Sequence, residues 1–112
     1  MGVTVHPDKS YFEAEVSVYN PTPYTHTFLY WANVAAHTNE TFQTIFPPSV
    51  DFATFHSKND FTQWPISTEE YVGQDFTAGV DVSYWKNVKG SASFFAWDLQ
   101  EDFMGGYDHG SN

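Results

Sequence analysis

Trp31, Asn33 and His37 stand at i, i+2 and i+6 of one apolar run, a spacing that sets all three on one face of an extended strand. An indole packs on the apolar face of a pyranose, while an amide and an imidazole hydrogen-bond its hydroxyls, so the trio has the composition of a sugar site. Trp85, Lys86 and Asn87 add an aromatic ring, a cation and a second amide in an expected loop, the kind of segment where binding residues concentrate. Asp108 and His109, between glycines near the end of the chain, offer a carboxylate and an imidazole. These eight residues are the candidate substrate-binding set. Each has a plainer alternative: Trp31 in a core, Asn33 bonding backbone, His37 in a turn, and the last pair on a loose terminus.

Other groups carry less. The histidines His6, His26, His37, His56 and His109 show no HExxH or comparable ligand spacing, so neither a metal nor any other cofactor is expected. Glu69-Glu70 and Glu101-Asp102 are sequence neighbours, which on a strand point to opposite faces and suit a solvated surface better than a glycosidase pair. Asn39-Glu40-Thr41 matches a glycosylation sequon and Asn20-Pro21-Thr22 is blocked by its proline; the first match is read as chance.

These residues need elements to position them. Phe12, Ala14, Val16 and Val18 alternate with Glu13, Glu15 and Ser17, which predicts a half-buried strand over 11–20. Asn20-Pro21-Thr22-Pro23 ends it in a turn, because proline fixes φ and removes a donor. A second strand is expected over 24–37, then two more over 40–46 and 50–56 on either side of Pro47-Pro48, as an antiparallel meander. Residues 57–78 show no sustained period and read as a long excursion anchored by Phe61, Trp64, Tyr71 and Phe76; a helical turn fits within 79–88 and a fifth strand within 91–98. Residues 1–10 and 105–112 are expected as flexible ends. The expected fold is an all-β antiparallel β-sandwich forming one domain, or part of one, over 1–112.

Composition agrees. Aromatic residues make up 20% of the 112, a core material that favours strands, and the length supports one hydrophobic core. Fourteen acidic residues against four lysines and no arginine give a formal charge of −10. Such a chain cannot neutralise phosphates, which argues against nucleic acid and anionic membranes as partners. The absence of cysteine removes disulfides and thiol chemistry. No run approaches the roughly 20 apolar residues of a membrane helix, so a soluble chain is expected.

The strings Asn20-Pro21-Thr22-Pro23, Trp31-Ala32-Asn33-Val34-Ala35-Ala36-His37, Phe46-Pro47-Pro48, Tyr84-Trp85-Lys86-Asn87 and Gly105-Gly106-Tyr107-Asp108-His109 together resemble a bacterial domain family of unknown function. Its members often precede tetratricopeptide repeats and are related to the galactose mutarotase-like supersandwich. The resemblance implies that the chain is a portion of such a supersandwich, in a bacterial cytoplasm or periplasm. It also implies a carbohydrate-binding or carbohydrate-processing role, although one fold hosts many chemistries. Aldose epimerases of that fold use a His acid and a Glu base near the carboxyl end. No position here receives that Glu, so the isolated chain is expected to be catalytically incomplete. The competing expectation is a structural or protein-interaction sandwich without catalysis, and either reading predicts self-association or packing against the rest of a larger protein.

Overall fold

A computed structural model describes residues 1–110. It divides into two compact units, Met1–Val34 and a second from Ala35 onward. In the first, β1 (Gly2–Val5) pairs antiparallel with β2 (Phe12–Glu15), with Val3 opposite Ala14 and Val5 opposite Phe12. Across the hairpin the His6 Nε2 lies 3.1 Å from Glu13 Oε2. Beyond β2 the Asn20 side chain closes a bend: its Oδ1 accepts from the Thr22 amide and hydroxyl, and its Nδ2 donates to the Tyr24 carbonyl at 2.7 Å.

The second unit holds β3 (Phe42–Ile45), β4 (Phe52–Thr54), β5 (Phe61–Gln63), β6 (Ile66–Ser67), β7 (Glu70–Tyr71), β8 (Gln74–Asp75), β9 (Val80–Asp81), a 3-10 turn at Trp85–Asn87, β10 (Phe95–Ala96) and β11 (Gly105–Asp108). Its sheets are small: β10-β4-β5, and the pairs β11-β3, β6-β9 and β7-β8. Every pairing is antiparallel and the 3-10 turn is the one helical element among the described residues, so the protein is all-β.

The core is built around Tyr71, Phe76 and Val82, with Phe55, Trp64, Val72, Val80, Val88 and Phe94 packed against them. Burial of aromatic rings supplies most of the driving force. The Phe94 ring stacks on Tyr71 at 5.0 Å, and the Tyr71 hydroxyl, which cannot be left unpaired inside, donates to the Ser93 carbonyl at 2.7 Å. Buried polar side chains are answered likewise: Thr62 donates to Ser67 at 2.7 Å. The hairpin that presents Tyr71 turns through Val72 and Gly73, both at positive φ (51° and 71°). That is the backbone a two-residue loop of primed type requires, and a β-branched residue adopts it only under strain.

Corners follow one recurrent device. In Asn20-Pro21-Thr22, Asn39-Glu40-Thr41, Asp75-Phe76-Thr77 and Asp81-Val82-Ser83 the first side chain accepts from the amide and the hydroxyl two residues on, an Asx-type turn.

Several expectations are corrected. Residues 24–37 form no strand, because strand propensity is a weak, context-dependent preference that becomes a strand only in a ladder. The face Phe12, Ala14, Val16, Val18 is exposed, not buried, because the first unit keeps every residue exposed apart from a half-buried His6. The excursion at 57–78 contains β5, β6, β7 and β8, strands of two or three residues that are too short to display a period. Two strands fall within the segments expected as ends, β1 near the start and β11 at 105–108, while residues 111–112 of that expectation lie outside the described residues. In β11 the glycines serve close packing: a Cβ on Gly106 would stand 2.3 Å from Phe42 Cζ. The turn within 79–88 and strands inside 40–46, 50–56 and 91–98 are present as expected.

Candidate functional site

The alternation of β3 turns Phe42 and Thr44, and then Phe46, toward one side. A backbone hydrogen bond from Thr44 N–H to the Ser83 carbonyl (2.8 Å) and a bridge between Gln43 and Tyr84 hold the 81–87 segment alongside. The 3-10 turn there is closed by Asn87 N–H to the Tyr84 carbonyl (3.0 Å) and by the Asn87 side chain, which donates to the Asp81 carbonyl at 2.8 Å. Between these walls lies a cavity of about 310 Å³. Five rings line it, from Phe42, Phe46, Trp64, Trp85 and Phe94, together with the hydroxyl residues Thr38, Thr44 and Ser83. Phe46 and Trp64 pack at 4.4 Å between centroids and Trp64 and Phe94 at 5.8 Å, so three of the rings form one continuous wall. Trp85 is half exposed (53%). No lining residue titrates in the ordinary pH range.

A polar cluster closes the β3–β11 end. Asp108 Oδ1 accepts from the Thr41 hydroxyl at 2.5 Å and from the Gly110 amide at 2.9 Å, and its Oδ2 accepts from Asn39 Nδ2 at 2.7 Å. The Thr41 hydroxyl, the Gly110 amide and the Asn39 amide, helped by the charge of His37, hold the Asp108 carboxyl below its ordinary pKa against the effect of burial. His109 Nε2 lies 2.8 Å from Gln43 Oε1 and 3.5 Å from the Tyr84 hydroxyl. Gln43 in turn donates to Ser83 Oγ at 3.0 Å. The cluster therefore connects β11 through β3 to the cavity wall at Ser83.

The predicted residues divide accordingly. Trp85 lines the cavity. Lys86 places its Nζ 5.4 Å from the Tyr84 ring centroid, Asn87 holds the 3-10 turn, and Asp108 and His109 belong to the polar cluster with His37 acting on Asp108. Trp31 and Asn33 lie in the first unit, where Trp31 Nε1 donates to Asn33 Oδ1 at 3.2 Å, whereas His37 belongs to the second. Without a strand over 24–37, alternation does not set those three on a common face. The sequence reading missed Phe42, Phe46 and Thr44, although Phe42-x-Thr44-x-Phe46 is a period-two signal inside a strand that was expected there. Trp64 carried a signal only as an anchor, and Ser83 carried none.

Against this geometry stands one comparison. A family model described as Domain of unknown function (DUF5107) matches residues 2–112. The chain belongs to that family. The match spans both units. No solved structure matches the chain. Among the described residues no helix is long and apolar enough to cross a membrane, and no group of three or more His, Asp or Glu side chains could hold a metal ion.

Proposed function

We propose that this chain is a carbohydrate-binding module, a portion of a larger bacterial protein of galactose mutarotase-like type that takes a neutral sugar in the cavity of the second unit. The observation that carries the reading is the cavity lining: five aromatic rings with three hydroxyl residues, and no titratable group. Rings cover the C–H faces of a pyranose and hydroxyls answer its hydroxyls. Acid–base turnover needs a group that exchanges protons within reach of the substrate, so this lining supports binding in preference to processing. The resemblance of the five sequence strings to mutarotase-related domains supports the same ligand class. The net charge of −10 disfavours acidic sugars through long-range repulsion.

Calorimetric titration of the chain with a panel of neutral mono- and oligosaccharides tests the reading. Binding in the millimolar range or tighter is expected, and Trp85→Ala, which removes the most accessible ring, should weaken it about 3- to 10-fold, the value of one aromatic contact. A folded chain that binds none of the panel at millimolar concentration would end the proposal.

A further inference from the structure

The sheet β10-β4-β5 has a second aromatic surface, separate from the cavity. Phe52 and Thr54 share a face of β4; Thr54 lies opposite Phe61 on β5 and Phe95 on β10, and the Trp97 amide donates to the Phe52 carbonyl at 3.0 Å. Cross-strand partners share a face, so Phe52, Phe61, Phe95 and Trp97 stand together. Phe61 and Trp97 meet edge to face at 5.1 Å, above a Thr54 that is 2% exposed. The four rings themselves remain 38–47% exposed.

Carboxylate residues flank these rings along the chain. Asp51 precedes Phe52 and shares with it, and with Gln63 and Ile66, a surface hollow of about 410 Å³. Asp98 follows Trp97, at the same end of the sheet as Asp51, and Asp60 precedes Phe61 at the other. Glu69 accepts from the Gln63 amide at 2.8 Å. Lys58, in the β4–β5 connection at the Asp60 end, is the one cation of this hairpin.

We infer that this acid-flanked aromatic face binds a cationic polypeptide segment, with Lys or Arg side chains over the exposed rings and their charges answered by Asp51 and Asp98. Charge complementarity selects this occupant. Aromatic faces attract cations through the ring quadrupole, neighbouring carboxylates add ion pairing, and a net charge of −10 draws a basic partner while repelling nucleic acid.

The test is fluorescence anisotropy of a labelled decapeptide of alternating Arg and Gly, titrated with the intact chain at 50 and 150 mM salt. Trp97→Leu and Phe61→Leu remove the quadrupole while keeping charge and apolar bulk; each should weaken binding roughly 2- to 5-fold. Asp51→Asn with Asp98→Asn should weaken it further, whereas the equally charge-reducing pair Glu13→Gln with Glu40→Gln should leave it within about 2-fold. Heteronuclear spectra confirm that each variant is folded and show whether the Trp97 indole resonance moves on binding. Equal losses from both carboxylate pairs with none from the ring variants would reduce the effect to net charge and overturn the inference. It would be overturned equally if neutral cellohexaose, not the peptide, moved the Trp97 resonance.

Discussion

Tyr71→Phe isolates one hydroxyl in the centre of the second unit. Tyr71 is 0% exposed, its ring packs on Phe94, and its hydroxyl donates to the Ser93 carbonyl at 2.7 Å. Phenylalanine keeps the ring and its stacking, so the cost is the lost hydrogen bond plus the carbonyl left without that donor, together about 1–2 kcal/mol. For a unit of this size the urea dependence is about 1 kcal/mol per molar, so the midpoint should fall by about 1–2 M with an unchanged slope. The same hydroxyl predicts an alkaline signature. Burial, with a contribution from Asp60, pushes its pKa up to about 12. The folded state then holds a proton that the unfolded chain has lost, so this group's stabilisation is complete below about pH 10 and disappears as pH rises toward 12. Urea midpoints at pH 7, 10 and 11.5 for both proteins measure the two effects together. The decline across the alkaline window should be shallower in the variant. A midpoint at pH 7 that matches the parent protein within about 0.2 M would refute the assignment of this hydroxyl to the core.

Three further outcomes follow from the same structure. Gly106→Ala drives a Cβ to 2.3 Å from the Phe42 ring, and at about 1–3 kcal/mol for such overpacking it should abolish amide exchange protection along β11. The depressed Asp108 pKa, caused first by the Thr41 hydroxyl, stabilises the β3–β11 closure above the ordinary carboxylate pKa and stops doing so as pH falls through the lower folded value; in Asp108→Asn the protection factor of the His109 amide, its exchange rate corrected for the intrinsic pH dependence, should no longer change across that acid window. Gly73→Ala places a Cβ at φ 71° and should cost about 1–2 kcal/mol, whereas Val72→Asn relieves the strain at φ 51° but gives up the packing of Val72 on the core, so its melting temperature should fall less than that of Val72→Ala, which loses the packing and keeps the strain.

What the sequence made legible was pattern on the scale of single strands. Phe42-x-Thr44-x-Phe46 spans the four-residue β3, and in 91–98 the sequence alternation runs on beyond the two paired residues of β10, so both segments were legible. Where strands shrink to the two residues of β6, β7 and β8, alternation has no length in which to appear, and the region read only as a long excursion. Residues 24–37 show the reverse failure: strong propensity in a segment that forms no strand. Gly105-Gly106 misled for a third reason, since glycine signals both looseness and close approach, and only the Phe42 ring above it decides between them. In the candidate site Trp85 was legible as an accessible ring in a turn, while Trp64 and Ser83 depend on which segments fold beside one another, information that periodicity does not contain.

The Asn39 turn bears on how this protein should be produced. Its amide is committed at both ends, Oδ1 to Thr41 and Nδ2 to Asp108, yet Asn39-Glu40-Thr41 is also the tripeptide that oligosaccharyltransferases recognise. A glycan on Nδ2 would have to be attached before the turn closes, and it would leave that nitrogen one hydrogen and a bulky substituent 2.7 Å from the Asp108 carboxylate. Secretion through a eukaryotic host would thus set sugar transfer in competition with folding at one atom, and yield two populations that differ in whether β11 can settle on β3.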